Sequence, residues 1–221
     1  MILRPEELVT VFGGDGFIGR YVCEALMQSG VRVRVASRDT RNSYFIQPLG
    51  KVGQLGFVRA DITQREAVRR ALDGAKAAIN LVGVFGRRMQ AVHVDGAQHI
   101  AEAARDVGAI AMVHLSAIGA DVHSASNYGR TKGEGERVVR KAFPQATIVR
   151  PSLVFGPEDN LTNRFAAMGQ WPVLPIIAAQ RKWSIIPAPP SASPGEQPLA
   201  NATSIAATPI RIARSPPPSG R

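Results

Sequence analysis

One segment near the N-terminus limits what this chain can become more than any other. Leu8-Val9-Thr10-Val11-Phe12 is a run of apolar and β-branched residues, and it passes directly into Gly13-Gly14-Asp15-Gly16-Phe17-Ile18-Gly19. Gly14, Gly16 and Gly19 fit the spacing G-x-G-x-x-G, while Gly13, Gly16 and Gly19 fit the variant G-x-x-G-x-x-G. A strand, a glycine turn and a helix in that order build an anion site. The first glycines make the turn and let the backbone approach a pyrophosphate. The last glycine lets the helix pack closely on the strand, and the helix N-terminus turns free N–H groups and a positive dipole end towards the phosphates. A tight glycine turn without a ligand has the same composition. The buried strand before it and the amphipathic helix after it are the context that favours a dinucleotide.

The chain repeats this alternation as far as Arg150. Strands are expected over 8–12, 31–36, 56–60, 77–82, 111–115 and 146–149, and helices over 16–29, 63–72, 92–105 and 128–141. Gly30 and Gly108 stand where the first and third helices stop. Thr63-Gln64-Arg65-Glu66 has the pattern of a capping box, with the threonine capping the helix and the glutamate reaching back. Such alternation predicts an α/β fold, a Rossmann-type doubly wound parallel sheet with helices on both faces. A length of 221 residues allows one such domain and a remainder. The domain is expected over 1–180. The remaining 181–221 is rich in proline from Pro187 to Pro218, with small residues between, and is expected to be disordered.

A net charge of +10 suits a phosphate-bearing cofactor, and the arginines are scattered with no dense basic run and no interleaved aromatics, so no nucleic acid is expected. Cys23 is the only cysteine, which excludes an internal disulfide and fits a reducing compartment. No apolar run approaches the roughly 20 residues of a transmembrane segment, and the first residues carry no signal pattern. The expected location is cytoplasmic. The second strand ends Val35-Ala36-Ser37-Arg38-Asp39. An acidic residue there binds the ribose hydroxyls of NAD, whereas arginine accommodates the extra phosphate of NADP. With Ser37 and Arg38 first, NADP(H) is favoured and NAD(H) is the alternative.

Tyr128 and Lys132 lie four apart and share a helix face. A free tyrosine has a pKa of about 10, too high for a base at neutral pH, and a nearby ammonium lowers it. Ser116, closing the fifth strand, would hydrogen-bond a substrate carbonyl or hydroxyl while Tyr128 passes the proton. The same pair can instead only hold a cofactor, or only pack at a helix start. His93 and His99 share a helix with no ligand arrangement around them, so no metal is expected. His114 reads as a packed neighbour of the site, Cys23 as a small buried residue, and Arg87 and Arg88 as a solvated loop.

The glycine loop is followed by Ala60-Asp61-Ile62, Asn80-Leu81-Val82-Gly83, His114-Leu115-Ser116-Ala117, Tyr128-Gly129-Arg130-Thr131-Lys132 and Arg150-Pro151-Ser152-Leu153-Val154-Phe155-Gly156-Pro157. In order and spacing these resemble the extended and atypical short-chain dehydrogenase/reductase family, of NAD-dependent epimerase/dehydratase type, over about 9–165. The resemblance implies catalysis by Ser116, Tyr128 and Lys132. It implies cofactor binding by Gly13, Gly14, Gly16, Phe17, Ile18, Gly19, Ser37, Arg38, Asp61, Ile62, Leu81, Val82, Gly83, Tyr128, Lys132 and Pro151, with Asp61 by the adenine. The stretch from Phe12 to Arg20, Leu115-Ser116-Ala117-Ile118-Gly119-Ala120, and Ala142-Phe143-Pro144-Gln145-Ala146 with Pro151-Ser152 resemble one atypical branch, that of the nucleotide-binding accessory subunit of respiratory complex I (NADH-ubiquinone oxidoreductase) and its bacterial relatives. That branch implies a cofactor, usually NADPH, held structurally. It implies complex I or another protein assembly as partner, peripheral at the inner face of the membrane. The alternatives are an active NADP(H)-dependent oxidoreductase or sugar-nucleotide epimerase, and a redox sensor that binds protein partners. Family members continue past Pro157 into more sheet and a substrate region. Here the resemblance ends after Ala179, so the substrate region is expected to be truncated, by a change of reading frame near Gln180 or by a natural tail.

Overall fold

The computed structural model describes residues 3–159. Its first strand, β1 (Leu8–Phe12), explains the two-sided fold. Side chains alternate across a strand, and both faces of β1 are apolar. Val9 and Val11 enter a core with Cys23, Met27, Val33, Val35 and Ile46, whereas Phe12 enters a second core with Val68, Leu72, Ile100, Met112 and Val139. Thr10, on the Phe12 face, is fully buried and donates its hydroxyl to Ala71 O. A strand buried on both faces belongs in a parallel sheet covered by helices on both sides.

The sheet runs β3 (Leu55–Arg59), β2 (Arg32–Ser37), β1, β4 (Ala77–Asn80), β5 (Ala111–Leu115), β6 (Thr147–Val149), and every pairing is parallel. The α-helices are α1 (Phe17–Gln28), α2 (Arg65–Leu72), α3 (Ala97–Asp106) and α4 (Asn127–Ala142). The doubly wound α/β fold expected from the sequence is therefore the fold observed. From β1 the strand order departs in two directions, which opens a crevice at the carboxyl ends of β1, β2 and β4. Register places Phe12 beside both Ala36 and Asn80, so Gly13, Ser37 and Leu81 leave the sheet along one edge. Ser126 starts α4 by accepting from Gly129 N–H. Pro144 follows its last turn, where the preceding residue is biased out of the helical region.

Four local features depart from the sequence reading. A run of 3-10 turns spans Thr40–Leu49 where no element was expected, and it buries only Ser43 and Ile46. The fourth strand stops at Asn80, not at 82, because the Asn80 side-chain oxygen accepts the Val82 N–H and bends the chain. A π-helical turn, Ala91–Gly96, precedes α3. The capping box is not formed. The Asp61 carboxylate takes both the Thr63 N–H and its hydroxyl, at 2.9 and 2.8 Å, and Glu66 pairs with Arg69. An ionised acceptor two residues away outcompetes the helix end for the threonine. The expected domain end at 180, the tail 181–221 and the frame change near Gln180 lie outside the described residues. Among the described residues no helix is long and apolar enough to cross a membrane, and no cluster of side chains is placed to hold a metal.

Candidate dinucleotide cleft

At the exit of β1, Gly13 takes φ of +77°, a left-handed backbone that favours glycine, and its N–H donates to Ala36 O. The turn closes with Gly16 N–H on Gly13 O at 3.1 Å. At Gly19 the requirement is close approach. A Cβ there would stand 2.2 Å from Gly13 O and 2.6 Å from Gly14 Cα, so α1 packs on the backbone of the turn itself rather than on the strand. Gly14 fills the space between Cys23 and Val35. The first turn of α1 has neither a capping side chain nor an acidic residue, so its N-terminal donors and dipole are left for an anion.

In front of this turn lies a cleft of about 280 Å³. Its walls are Gly13, Asp15 and Gly16 of the loop, Ser37 and Arg38 closing β2, Asp61 and Ile62 after β3, and Leu81, Val82, Gly83 and Arg88 after β4. Nine of the expected cofactor positions thus line one cleft. Gly14 and Gly19 act behind it through packing. Phe17 turns towards Gly156, and Ile18, Tyr128, Lys132 and Pro151 are not on its wall. Arg88 lies in an exposed turn, as expected, with about half of its side chain in solvent, and there it meets Asp61 at 3.2 Å. Burial acts to raise the Asp61 carboxyl, but hydrogen bonds from Thr63 and the Arg88 guanidinium outweigh it and hold the group below its ordinary value. Asp15 and Ser43 went unread in the sequence. Asp15 accepts from Ser37 Oγ at 2.6 Å and Ser43 Oγ at 3.0 Å. Cys23 is buried and its thiol is pushed up to about 12, by burial and then by the Asp15 charge, which leaves it inert as a nucleophile.

Ser116 follows β5, and Tyr128 and Lys132 stand in the first turns of α4; among the described residues their side chains make no hydrogen bonds to one another. Lys132 is 4% exposed, donates to Leu115 O at 3.0 Å, and stands beside Gly83, where a Cβ would approach its Nζ to 3.5 Å. Burial lowers its pKa to about 8, against an opposing pull from Glu136. Tyr128 stacks on Phe85 at 4.9 Å and meets His93 edge-on at 5.5 Å. Burial raises its phenol, so the lowering expected from Lys132 is not found. The Ser116 hydroxyl is buried beside Glu136 and lacks a hydrogen bond among the described residues. Glu136 receives Arg150 in a two-point contact at 2.7 and 2.6 Å. Burial pushes the Glu136 carboxyl up, but the two hydrogen bonds and the charge of Arg150 more than reverse this.

Two buried histidines back this wall. His93 accepts the Val84 N–H on Nε2, so its Nδ1–H is turned to Thr131 Oγ1 at 2.9 Å. His114 accepts from Asn80 on Nδ1 and leaves Nε2 without a partner. Burial lowers both to about 4, and the Lys132 charge adds to it.

Comparison with known proteins sets this geometry in a wider group. The model of the NAD dependent epimerase/dehydratase family matches residues 9–171. The mitochondrial NADH dehydrogenase (ubiquinone) 1 alpha subcomplex subunit 9 of Dictyostelium discoideum is 33% identical over 181 residues, 79% of this chain and 50% of that protein. Ceramide reductase of Caulobacter vibrioides is 34% identical over 191 residues, 84% of this chain and 59% of that protein. Among solved structures, Pen from Bacillus thuringiensis superposes with a TM-score of 0.66 at 23% identity, over 76% of this chain and 57% of that one, a likeness of fold. The chain spans about half the length of the curated relatives it matches.

Proposed function

The chain belongs to the NAD dependent epimerase/dehydratase family, and from that membership we propose that it holds a pyridine dinucleotide in the cleft before α1 as a fixed structural element of a protein assembly of the respiratory complex I type. The observation that carries the reading is the cleft itself, with a glycine turn that admits no Cβ at Gly19, an uncapped helix end and walls from three strand ends. The pyrophosphate belongs on the N-terminus of α1, the adenine side towards Asp61 and Ile62, and the remainder along Leu81, Val82 and Gly83. NADP(H) is the form we favour, through Arg38 on the cleft wall. The assembly follows from the kinship with a complex I subunit, and attachment to it would be peripheral to the membrane.

A structural rather than reactive cofactor is favoured by the groups around it. Lys132 is committed to Leu115 O, Ser116 is buried beside Glu136, and the Tyr128 phenol is raised, not lowered. A bound nicotinamide would supply or accept hydride. In the second reading, a reductase in keeping with the kinship to ceramide reductase, Tyr128 would pass a proton, Ser116 would orient a carbonyl and Lys132 would bind the cofactor. One comparison separates the two: thermal-shift titration with NADPH and NADH, wild type beside Tyr128→Phe, with cofactor oxidation followed against carbonyl substrates. The structural reading expects a clear stabilisation, about 2.7 kcal/mol at a hundredfold excess over Kd, undiminished in Tyr128→Phe and without turnover. Turnover that disappears in Tyr128→Phe establishes the reductase, and no stabilisation by any dinucleotide sinks both.

A further inference from the structure

Two residues of opposite charge, Arg38 and Asp15, line this cleft beside the end of β2. Arg38 follows β2 directly, and Asp15 comes from the glycine loop, 22 residues before Ser37 along the chain but joined to it by one hydrogen bond. We propose that Asp15 reads the ribose hydroxyls beside the adenine and holds the cleft open to NAD(H), against the pull of Arg38 towards NADP(H). This deepens the dinucleotide reading of the same cleft and rests on it.

Two hydroxyls fix the Asp15 carboxylate. Ser37 Oγ donates to Oδ2 at 2.6 Å and Ser43 Oγ donates to the same oxygen at 3.0 Å. The second of these comes from the 3-10 run, so that run serves the cleft by clamping Asp15. Among the described residues Oδ1 accepts no hydrogen bond and no cation pairs with Asp15. A serine hydroxyl has one proton to give, and the short contact directs that of Ser37 to Asp15 rather than into the cleft. The two forms of ribose meet this arrangement differently. A neutral 2′-hydroxyl brings a proton that Oδ1 can accept, and hydrogen bonds to an ionised acceptor are the stronger kind. A 2′-phosphate brings about one and a half to two negative charges and only acceptor oxygens at neutral pH. It would face a carboxylate of the same sign in a partly desolvated cleft, where like-charge repulsion is stronger than in water. Arg38 gives the phosphate an opposite charge, so the two residues pull the preference in opposite directions.

Calorimetric titration of the full chain with NADH and with NADPH tests this, using wild type, Asp15→Asn and Arg38→Gln. Asparagine keeps an acceptor for Ser37 and Ser43, so the loop should retain its shape, and an unchanged melting temperature without ligand checks it. Wild type should bind both nucleotides within about tenfold of one another. Asp15→Asn should raise the affinity for NADPH relative to NADH by about tenfold, the scale of one like-charge contact at a partly exposed site, and Arg38→Gln should move the ratio the other way. A ratio in Asp15→Asn that stays within a factor of two of wild type, or falls, overturns the role of Asp15 while leaving the dinucleotide reading in place. If neither nucleotide binds wild type, the dinucleotide reading fails and this assignment fails with it.

Discussion

The two buried histidines make acid stability a direct readout of the wall behind the cleft. Each is held neutral: His93 because Nε2 must accept from Val84 N–H, and His114 because Nδ1 must accept from Asn80, both under heavy burial. Their folded values near 4 lie below the unfolded value. A depressed value means that the unfolded chain binds protons first, so the stability is fully present above about pH 6.5 and is lost as pH falls towards 4. Between about pH 7.5 and about pH 5 the linkage relation gives a loss of roughly 2 kcal/mol for each histidine and roughly 4 kcal/mol for the pair. That is a large part of the 5–15 kcal/mol or so that holds a domain of this kind together. The carboxylates held low, Asp61 and Glu136, lose their contribution at lower pH and leave this window to the histidines. Urea unfolding at the two pH values measures the loss, since the midpoint and slope return the free energy directly. His93→Gln keeps an acceptor near Nε2, and His114→Asn keeps one near Nδ1. Each should remove about half of the pH dependence. A wild-type loss under about 1 kcal/mol, or variants with undiminished pH dependence, would refute the argument that burial keeps these rings neutral.

Two further perturbations probe the frame. Gly19→Ala puts a Cβ 2.2 Å from Gly13 O, a backbone atom that cannot swing aside; a loss of about 1–3 kcal/mol in urea unfolding is expected, together with lost dinucleotide stabilisation, and unchanged binding would be the wrong result. Arg150→Met strands the Glu136 carboxylate, and because 51% of the Arg150 side chain is in solvent the cost should be about 2 kcal/mol, below that of breaking a wholly buried pair. Adding Glu136→Gln should restore most of it, and a double variant no better than the single would contradict the pairing.

The fold was legible because its signals are local. A β-branched run before Gly13, glycines closing helices at Gly30 and Gly108, and alternation of strand with helix are properties of short windows. All six strands fall within two residues of where the pattern puts them. What the windows could not show were choices between competing partners. Thr63 had a helix end and a carboxylate to choose from, and Asp61 won. The 3-10 run has just two buried residues, Ser43 and Ile46, too few to print a period on the sequence. By helix propensity alone, glycine at 129, 133 and 135 costs α4 about 1 kcal/mol each against alanine. In the structure a Cβ on Gly135 would stand 2.2 Å from His93 O, and one on Gly133 would stand 2.5 Å from Asp121 C, so these positions are where α4 touches its neighbours.

The site divides along the same line. The glycine turn, the proposed phosphate cradle, is one continuous stretch and its physics can be read residue by residue. The pair proposed to select the ribose is not continuous, since the residue that meets Ser37 is Asp15, and nothing in the spacing of 15 and 37 announces it. The same holds for the Ser116, Tyr128 and Lys132 group. The four-residue spacing correctly puts Tyr128 and Lys132 on one helix, but what each side chain does is decided by groups elsewhere in the chain. Lys132 is drawn to the β5 carbonyl at Leu115, Tyr128 is flanked by Phe85 and His93, and Ser116 lies against a carboxylate already claimed by Arg150. A motif states which functional groups are available. Whether a tyrosine becomes a base depends on a charge being aimed at it, and here burial raises the phenol and no ammonium among the described residues offsets it. That is the physical ground on which the proposed function puts a structurally held cofactor ahead of turnover.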